Sequence, residues 1–193
     1  MPPPRPDDAD ITAWALAAGH GDREALAAFV RATQRDVHRF VAHLSSPREA
    51  DDLAQETYLR ALRSLPSFAG RSSGRTWLLS IARHVAADAV RTAVRRPRIS
   101  DVPDWERLTG TAPSLVRAAA DESVLLRQLI GALDADRREA FVLTQMLGLA
   151  YAEAAEVCDC PVGTIRSRVA RAREDLVAAM DARPGEARRA GGS

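Results

Sequence analysis

Between Asp10 and about Leu44 the apolar positions Trp14, Leu16, Leu26, Phe29, Val30, Val37, Phe40, Val41 and Leu44 recur at helical spacing, broken by Gly19-His20-Gly21-Asp22. This predicts two helices with a turn between them. Ser45-Ser46-Pro47 predicts the start of a third helix, with proline in the first turn, where its missing N–H costs least. That helix is expected to run to about Leu65 and stop at Pro66. A polar loop over 67–74 leads to a fourth helix, Arg75 to about Arg96, ended by Pro97. The prolines at 97, 103 and 113, with Gly110, then interrupt every candidate helix, which predicts an interdomain linker over 97–118. Beyond it the pattern predicts a helix from about Asp121 to Leu133. A second is opened by a capping box at Asp136-Arg137-Arg138-Glu139 and runs to Leu147, where Gly148 ends it. A short helix from Tyr151 to Val157, a turn at Cys158-Asp159-Cys160-Pro161 and a long helix from Val162 to about Asp181 complete the chain. No segment alternates like a strand. The expected class is all-α, with two small helical domains over 10–96 and 119–181 and disordered tails over 1–9 and 182–193.

Composition sharpens this picture in one respect. The chain has 193 residues, a formal net charge of +1 and no lysine, so all 27 basic side chains are arginines. The near-neutral total hides a segregation. Residues 71–98 carry seven arginines against the single acid Asp88, whereas 49–57 carry Glu49, Asp51, Asp52 and Glu56 with no base. An acidic stretch followed by a basic one suggests two different partners. No run of about 18 apolar residues could span a membrane, and no signal peptide precedes the first helix, so no membrane insertion and a cytoplasmic location are expected. Cys158 and Cys160 form a C-x-C pair without further cysteines, and His20, His38, His43 and His84 are not at ligand spacing. No metal site and no cofactor are expected, and the thiols should be reduced and packed in a small core.

The last two helices are expected to form a helix-turn-helix. At about 100° per residue, Ile165, Val169, Ala172 and Leu176 share one narrow face of the long helix, fit to pack on its predecessors. Ser167, Ala170 and Arg171 lie opposite, flanked by Thr164, Arg166, Arg168 and Arg173. Small and hydroxylic residues rimmed by guanidiniums suit a helix lying in the major groove of DNA. Arg166, Arg168, Arg171 and Arg173 meet no acid on their own helix before Glu174 and Asp175. Phosphate is the expected neutralising partner. An ordinary solvated face is the competing reading.

Glu49-Ala50-Asp51-Asp52-Leu53-Ala54-Gln55-Glu56-Thr57-Tyr58-Leu59-Arg60-Ala61 resembles the region 2 helix of bacterial sigma factors, and Ser67-Phe68 with Arg75-Thr76-Trp77-Leu78-Leu79-Ser80-Ile81-Ala82-Arg83 resembles its promoter-reading continuation. Leu147-Gly148-Leu149-Ala150-Tyr151-Ala152-Glu153-Ala154-Ala155, followed by Cys160-Pro161-Val162-Gly163-Thr164-Ile165-Arg166-Ser167-Arg168, resembles region 4. Two such blocks in this order, joined by a short linker, resemble the extracytoplasmic-function (ECF, group 4) sigma factors of the sigma-70 family, most nearly their actinobacterial sigma C type. The likeness extends over about residues 12–178.

The resemblance implies a set of roles. Asp51, Asp52, Gln55 and Glu56 would dock on the β′ clamp helices of core RNA polymerase, although carboxylates at a helix start also suit its dipole. Arg60, Ser64, Phe68, His84 and Asp88 would line a pocket for flipped bases of the minus-10 element, closed by the loop over 67–74. Phe68 could equally be a core plug, and His84 stands where the family often has asparagine. Arg83, Arg91, Arg95 and Arg96 would follow phosphates, while Trp77 is assigned to the core. Pro161, Thr164, Arg166, Ser167, Ala170 and Arg171 would read the minus-35 element. Thr144 and Gln145 occupy places where an arginine often adds a backbone contact, so minus-35 anchoring is expected to be weaker. The helix from Phe141 to Leu149 would meet the β flap. No catalytic constellation is visible, so the chain is not expected to be an enzyme. A stand-alone helix-turn-helix regulator is the alternative, but it leaves the acidic stretch unexplained. Regulation is expected through an anti-sigma factor held between the domains, or through closure of region 2 on region 4 that hides both basic faces.

Overall fold

The computed structural model describes residues 6–46, 48–95 and 124–182, apart from the side chains of 93–95. The first domain is built from four helices. α1 (Asp8–Gly19) and α2 (Arg23–Leu44) are each opened by an aspartate: Asp7 accepts from the Asp10 N–H, and Asp22 from those of Glu24 and Ala25. Each such cap satisfies amides that the helix itself leaves unpaired, worth about 0.5–2 kcal/mol. α3 (Ala50–Ser64) starts later than the sequence pattern predicts. A turn in which the Glu49 N–H donates to the Ser46 carbonyl comes first, and the Ser46 hydroxyl donates to the Glu49 carboxylate. The serine pair therefore makes a turn, and Pro47 lies outside the described residues. Leu65–Ser67 tightens into a 3₁₀ turn at Pro66, after which α4 spans Gly74–Arg95.

These helices enclose Ile11, Phe29, Val37, Phe40, Leu65, Leu78 and Leu79, all buried. Burying each of the large side chains contributes roughly 1.5–3 kcal/mol. Two glycines make the packing possible. A Cβ on Gly19 would stand 2.6 Å from the Leu65 carbonyl oxygen, and one on Gly74 would press on α1 at Ile11, Thr12 and Ala15. The Thr12 hydroxyl accepts from the Gly74 N–H at 2.9 Å, which ties α4 to α1. Inside, Tyr58 and the buried Thr33 share a 2.8 Å hydrogen bond, and burial pushes the phenol up to about 12.

The second domain comprises α5 (124–132), α6 (Ala135–Phe141), α7 (Tyr151–Cys158) and α8 (Val162–Asp181). The cap of α6 is Asp134, which accepts from the Asp136 N–H, and not Asp136 as the sequence suggested. Glu139 takes no part in the cap and is buried. After Phe141 the chain widens into a π-helical turn, Val142–Met146, and leaves it through Gly148 in the left-handed region. The Glu153 carboxylate accepts from the Ala150 N–H at the start of α7. Asp159, also left-handed, ends that helix.

One apolar cluster runs through both domains. It joins Leu78, Leu79 and Ala82 of α4 to Leu147, Leu149, Ala154 and Val157 around α7. The predicted linker and the tail beyond 182 lie outside the described residues.

Candidate nucleic-acid interface

α7 and α8 form the predicted helix-turn-helix. Ile165, Val169, Ala172 and Leu176 of α8 are buried, while Pro161, Arg166, Ser167, Ala170 and Arg171 are exposed and Thr164 is half-buried. The apolar stripe thus fixes which face of the helix is free. Pro161 holds the N-cap position, and its carbonyl accepts from Thr164 N–H at 2.8 Å. Two of the four arginines, which meet no acid on their own helix before Glu174 and Asp175, find partners on other elements, one of them acidic. Arg168 pairs with Asp136 of α6, and Arg173 donates to the Gln145 amide oxygen at 2.7 Å. Both acceptors are distant in sequence, so no periodicity could reveal them. Arg166 and Arg171 remain the outward guanidiniums. Thr144 is buried and bonded to the Ala140 carbonyl, so it packs against its own helix.

On α3, Asp51, Asp52 and Gln55 are exposed, and Asp51 lies 3.1 Å from His38 of α2. Glu56 turns aside to Arg60 at 2.7 Å, and Arg60 also reaches Asp88 of α4 at 2.7 Å. Leu59 and Leu62, one turn farther along α3, are unusually exposed at 43% each. They carry no charge and escaped the sequence reading, although their three-residue spacing beside the acidic group is visible there.

The predicted minus-10 group is only partly assembled. Arg60 and Asp88 meet, and Arg91 closes on the other oxygen of Asp88, so the two guanidiniums hold that carboxyl below its usual range. The Ser64 hydroxyl donates to the Arg60 carbonyl. His84 is exposed, with Nδ1 2.7 Å from the Ser80 carbonyl. A carbonyl can only accept, so Nδ1 carries a hydrogen and donates it. Phe68 packs on Trp77 with centroids 4.8 Å apart, and both rings lean on the core. The side chain of Arg95, and Arg96 entirely, lie outside the described residues.

Two arginines of the basic helix serve the interdomain contact instead. Arg75 grips Asp36 through Nε and Nη2, and also donates to the Leu147 carbonyl at 2.7 Å. Arg83 lies 2.8 Å from the buried Glu139 carboxylate. Its Nε nonetheless lacks an aligned hydrogen bond, so this is a close ion pair of imperfect geometry. Glu153 and Glu156 of α7 face the loop over 70–73 across an open cavity. Closure therefore covers part of the predicted minus-10 side and leaves the α8 face in solvent, so it does not hide both basic faces.

Cys158 is buried, burial pushes its thiol up, and Cys160 is partly exposed; both are free. Among the described residues, no cluster of three or more potential ligands could hold a metal, and no helix is long and apolar enough to cross a membrane.

Two helical domains, the second presenting an arginine-rimmed helix in a helix-turn-helix, define a DNA-binding protein. Family comparisons narrow the class. The family model Sigma-70 region 2 matches residues 29–96 and Sigma-70, region 4 matches 123–176. The ECF RNA polymerase sigma factor SigC of Mycobacterium tuberculosis (strain CDC 1551 / Oshkosh) is 53% identical over 178 residues, covering 92% of this chain and 94% of that protein. The ECF RNA polymerase sigma-E factor of Escherichia coli (strain K12) is 36% identical over 165 residues, covering 81% and 86%. Among solved structures, CnrH in complex with the cytosolic domain of CnrY superposes with a TM-score of 0.70 at 25% identity, covering 90% of this chain and 98% of that one. The sigma factor RpoE from Bartonella quintana, in complex with the anti-sigma factor NepR, gives 0.61 at 27%, covering 79% and 94%. The chain belongs to the sigma-70 family, as an RNA polymerase sigma factor of the extracytoplasmic-function group.

Proposed function

We propose that this sigma factor divides its work among three surfaces. Asp51, Asp52 and Gln55, with the neighbouring Glu56, dock on the β′ clamp helices of core polymerase. Arg60, Ser64, Phe68, Arg83, His84, Asp88, Arg91 and Arg95 engage the minus-10 element. Pro161, Thr164, Arg166, Ser167, Ala170 and Arg171 read the minus-35 element, while apolar residues between Phe141 and Leu149 meet the β flap. The chain acts in the cytoplasm, needs no cofactor and catalyses no reaction of its own; polymerase performs the chemistry.

The observation that carries this reading is the exposed carboxylate surface of α3. Carboxylates repel DNA, so a face built this way on a DNA-binding protein calls for a protein partner. A stand-alone regulator has no use for it. The test is the affinity of Asp51→Arg/Asp52→Arg for core polymerase, with circular dichroism to confirm an unchanged fold. Loss of about tenfold or more is expected; unchanged affinity would move the docking site elsewhere.

The closed arrangement supports an accompanying role in control. Arg83 cannot follow a phosphate while Glu139 holds it, so the domains must part before the minus-10 side is complete. An anti-sigma partner, like the NepR bound to the Bartonella quintana relative, would stabilise the same resting state.

A further inference from the structure

A cavity of about 530 Å³ lies between α2 of the first domain and α5 and the π-turn of the second. Arg35, Arg39 and Arg127 converge on it with His43, above a short apolar floor of Leu126 and Met146. Its cationic rim has almost no acid to balance it. Among the described residues, Arg35 and Arg127 have no ion-pair or hydrogen-bond partner, Arg39 donates only to the Met146 carbonyl at 3.3 Å, and no carboxylate lines the cavity, Asp51 lying 3.1 Å from His38 at its edge. The surplus positive field is strong enough to act with burial in holding His43 below the ordinary histidine range. Arg35, Arg39 and Arg127 are exposed guanidiniums from two domains lining one cavity, and an anion held between them offsets their mutual repulsion better than water alone.

We infer that this cavity is a binding site for a small phosphate-bearing anion, which bridges Arg35 and Arg39 of region 2 to Arg127 of region 4. The volume falls in the range of small-molecule sites, roughly 300–1,000 Å³. Guanidinium forks match phosphate oxygens in pairs, and the floor offers room for an apolar substituent. An acidic helix would need a longer apolar groove than two side chains provide. Since the cationic groups come from both domains, the anion binds the closed arrangement and draws the equilibrium towards it. It would thereby oppose the opening on which the proposed minus-10 contacts depend. The site itself rests on the closed arrangement alone.

The test is isothermal titration of the full chain with inorganic pyrophosphate, without polymerase or promoter, so that its outcome is separate from the sigma-factor reading. One-to-one saturable binding is expected, weakened about tenfold or more in Arg39→Gln/Arg127→Gln. It should be nearly unchanged in Arg23→Gln/Arg31→Gln, which removes the same charge from an exposed part of α2 outside the cavity. Hydrogen exchange across 124–132 should slow on binding. Equal weakening in both double variants would reduce the effect to net charge and overturn the proposal. Absence of saturable binding would do the same. Displacement of pyrophosphate by duplex DNA, with DNA affinity lost on the same two arginines, would assign the surface to the nucleic-acid backbone instead.

Discussion

His43 sits near the end of α2 with its imidazole half-buried. Burial first, then the guanidiniums of Arg39, Arg127 and Arg138, hold its pKa below the ordinary histidine value of 6.5. A group whose folded pKa is depressed adds stability that is fully present above its unfolded value and is lost as the pH falls through the folded one. The protein should therefore lose stability on acidification below about pH 6.5 through this residue. Denaturant unfolding of wild type and His43→Gln at roughly pH 7.5 and pH 5.5 checks this: the advantage of wild type should shrink or reverse at the acid end. A pH-independent difference would show that the imidazole stays in one protonation state throughout. Glu139 is a second case of a side chain whose role depends on its surroundings. Sequence offered it as half of a capping box, yet it lies buried against Arg83 of the other domain, because Asp134 had already taken the cap.

At the scale of elements, α4, α7 and α8 were legible in the sequence because their signals are local. The polar loop over 67–74 precedes α4, Asp159 adopts the left-handed conformation after α7, and the Ile165-Val169-Ala172-Leu176 stripe orients α8. The later start of α3 was not, since Ser46 and Glu49 form a turn whose closure depends on a side-chain hydrogen bond. The π-turn over Val142–Met146 has no compositional mark at all. Among candidate site residues, exposure on α8 followed from periodicity, but the partners of Arg168, Arg173 and Arg83 are long-range and became visible only in three dimensions. The free guanidiniums of α8 reduce to Arg166 and Arg171. Substituting either with alanine should lower promoter use by about 1–3 kcal/mol if it grips a base, with the loss confined to promoters carrying that base. Equal losses on every minus-35 sequence, accompanied by a shallower salt dependence, would identify phosphate contacts.

For the whole molecule, among the described residues, the two domains are held together by the apolar seam between α4 and α7, the Arg75 bridge to Asp36 and the Leu147 carbonyl, the 3.3 Å hydrogen bond from Arg39 to the Met146 carbonyl, and the Arg83–Glu139 pair. The last combines burial with poor alignment, which makes it the weak fastening. Glu139→Gln removes the charge while conserving shape, and leaves the half-buried Arg83 guanidinium without its counter-ion, at a cost of roughly 1–3 kcal/mol to the closed arrangement. Small-angle scattering should then report a larger radius of gyration, and minus-10 engagement should become easier. An unchanged radius would mean that the apolar seam alone keeps the domains together.

The central claim is that this chain confers promoter-specific initiation on a polymerase and is not a regulator acting by itself. The most direct measurement is a run-off transcription assay with purified core RNA polymerase, the full chain and a panel of promoter fragments. Specific transcripts that require both the chain and intact minus-10 and minus-35 elements are predicted. A chain that shifts duplex DNA unaided yet yields no specific transcript with core polymerase would contradict the account.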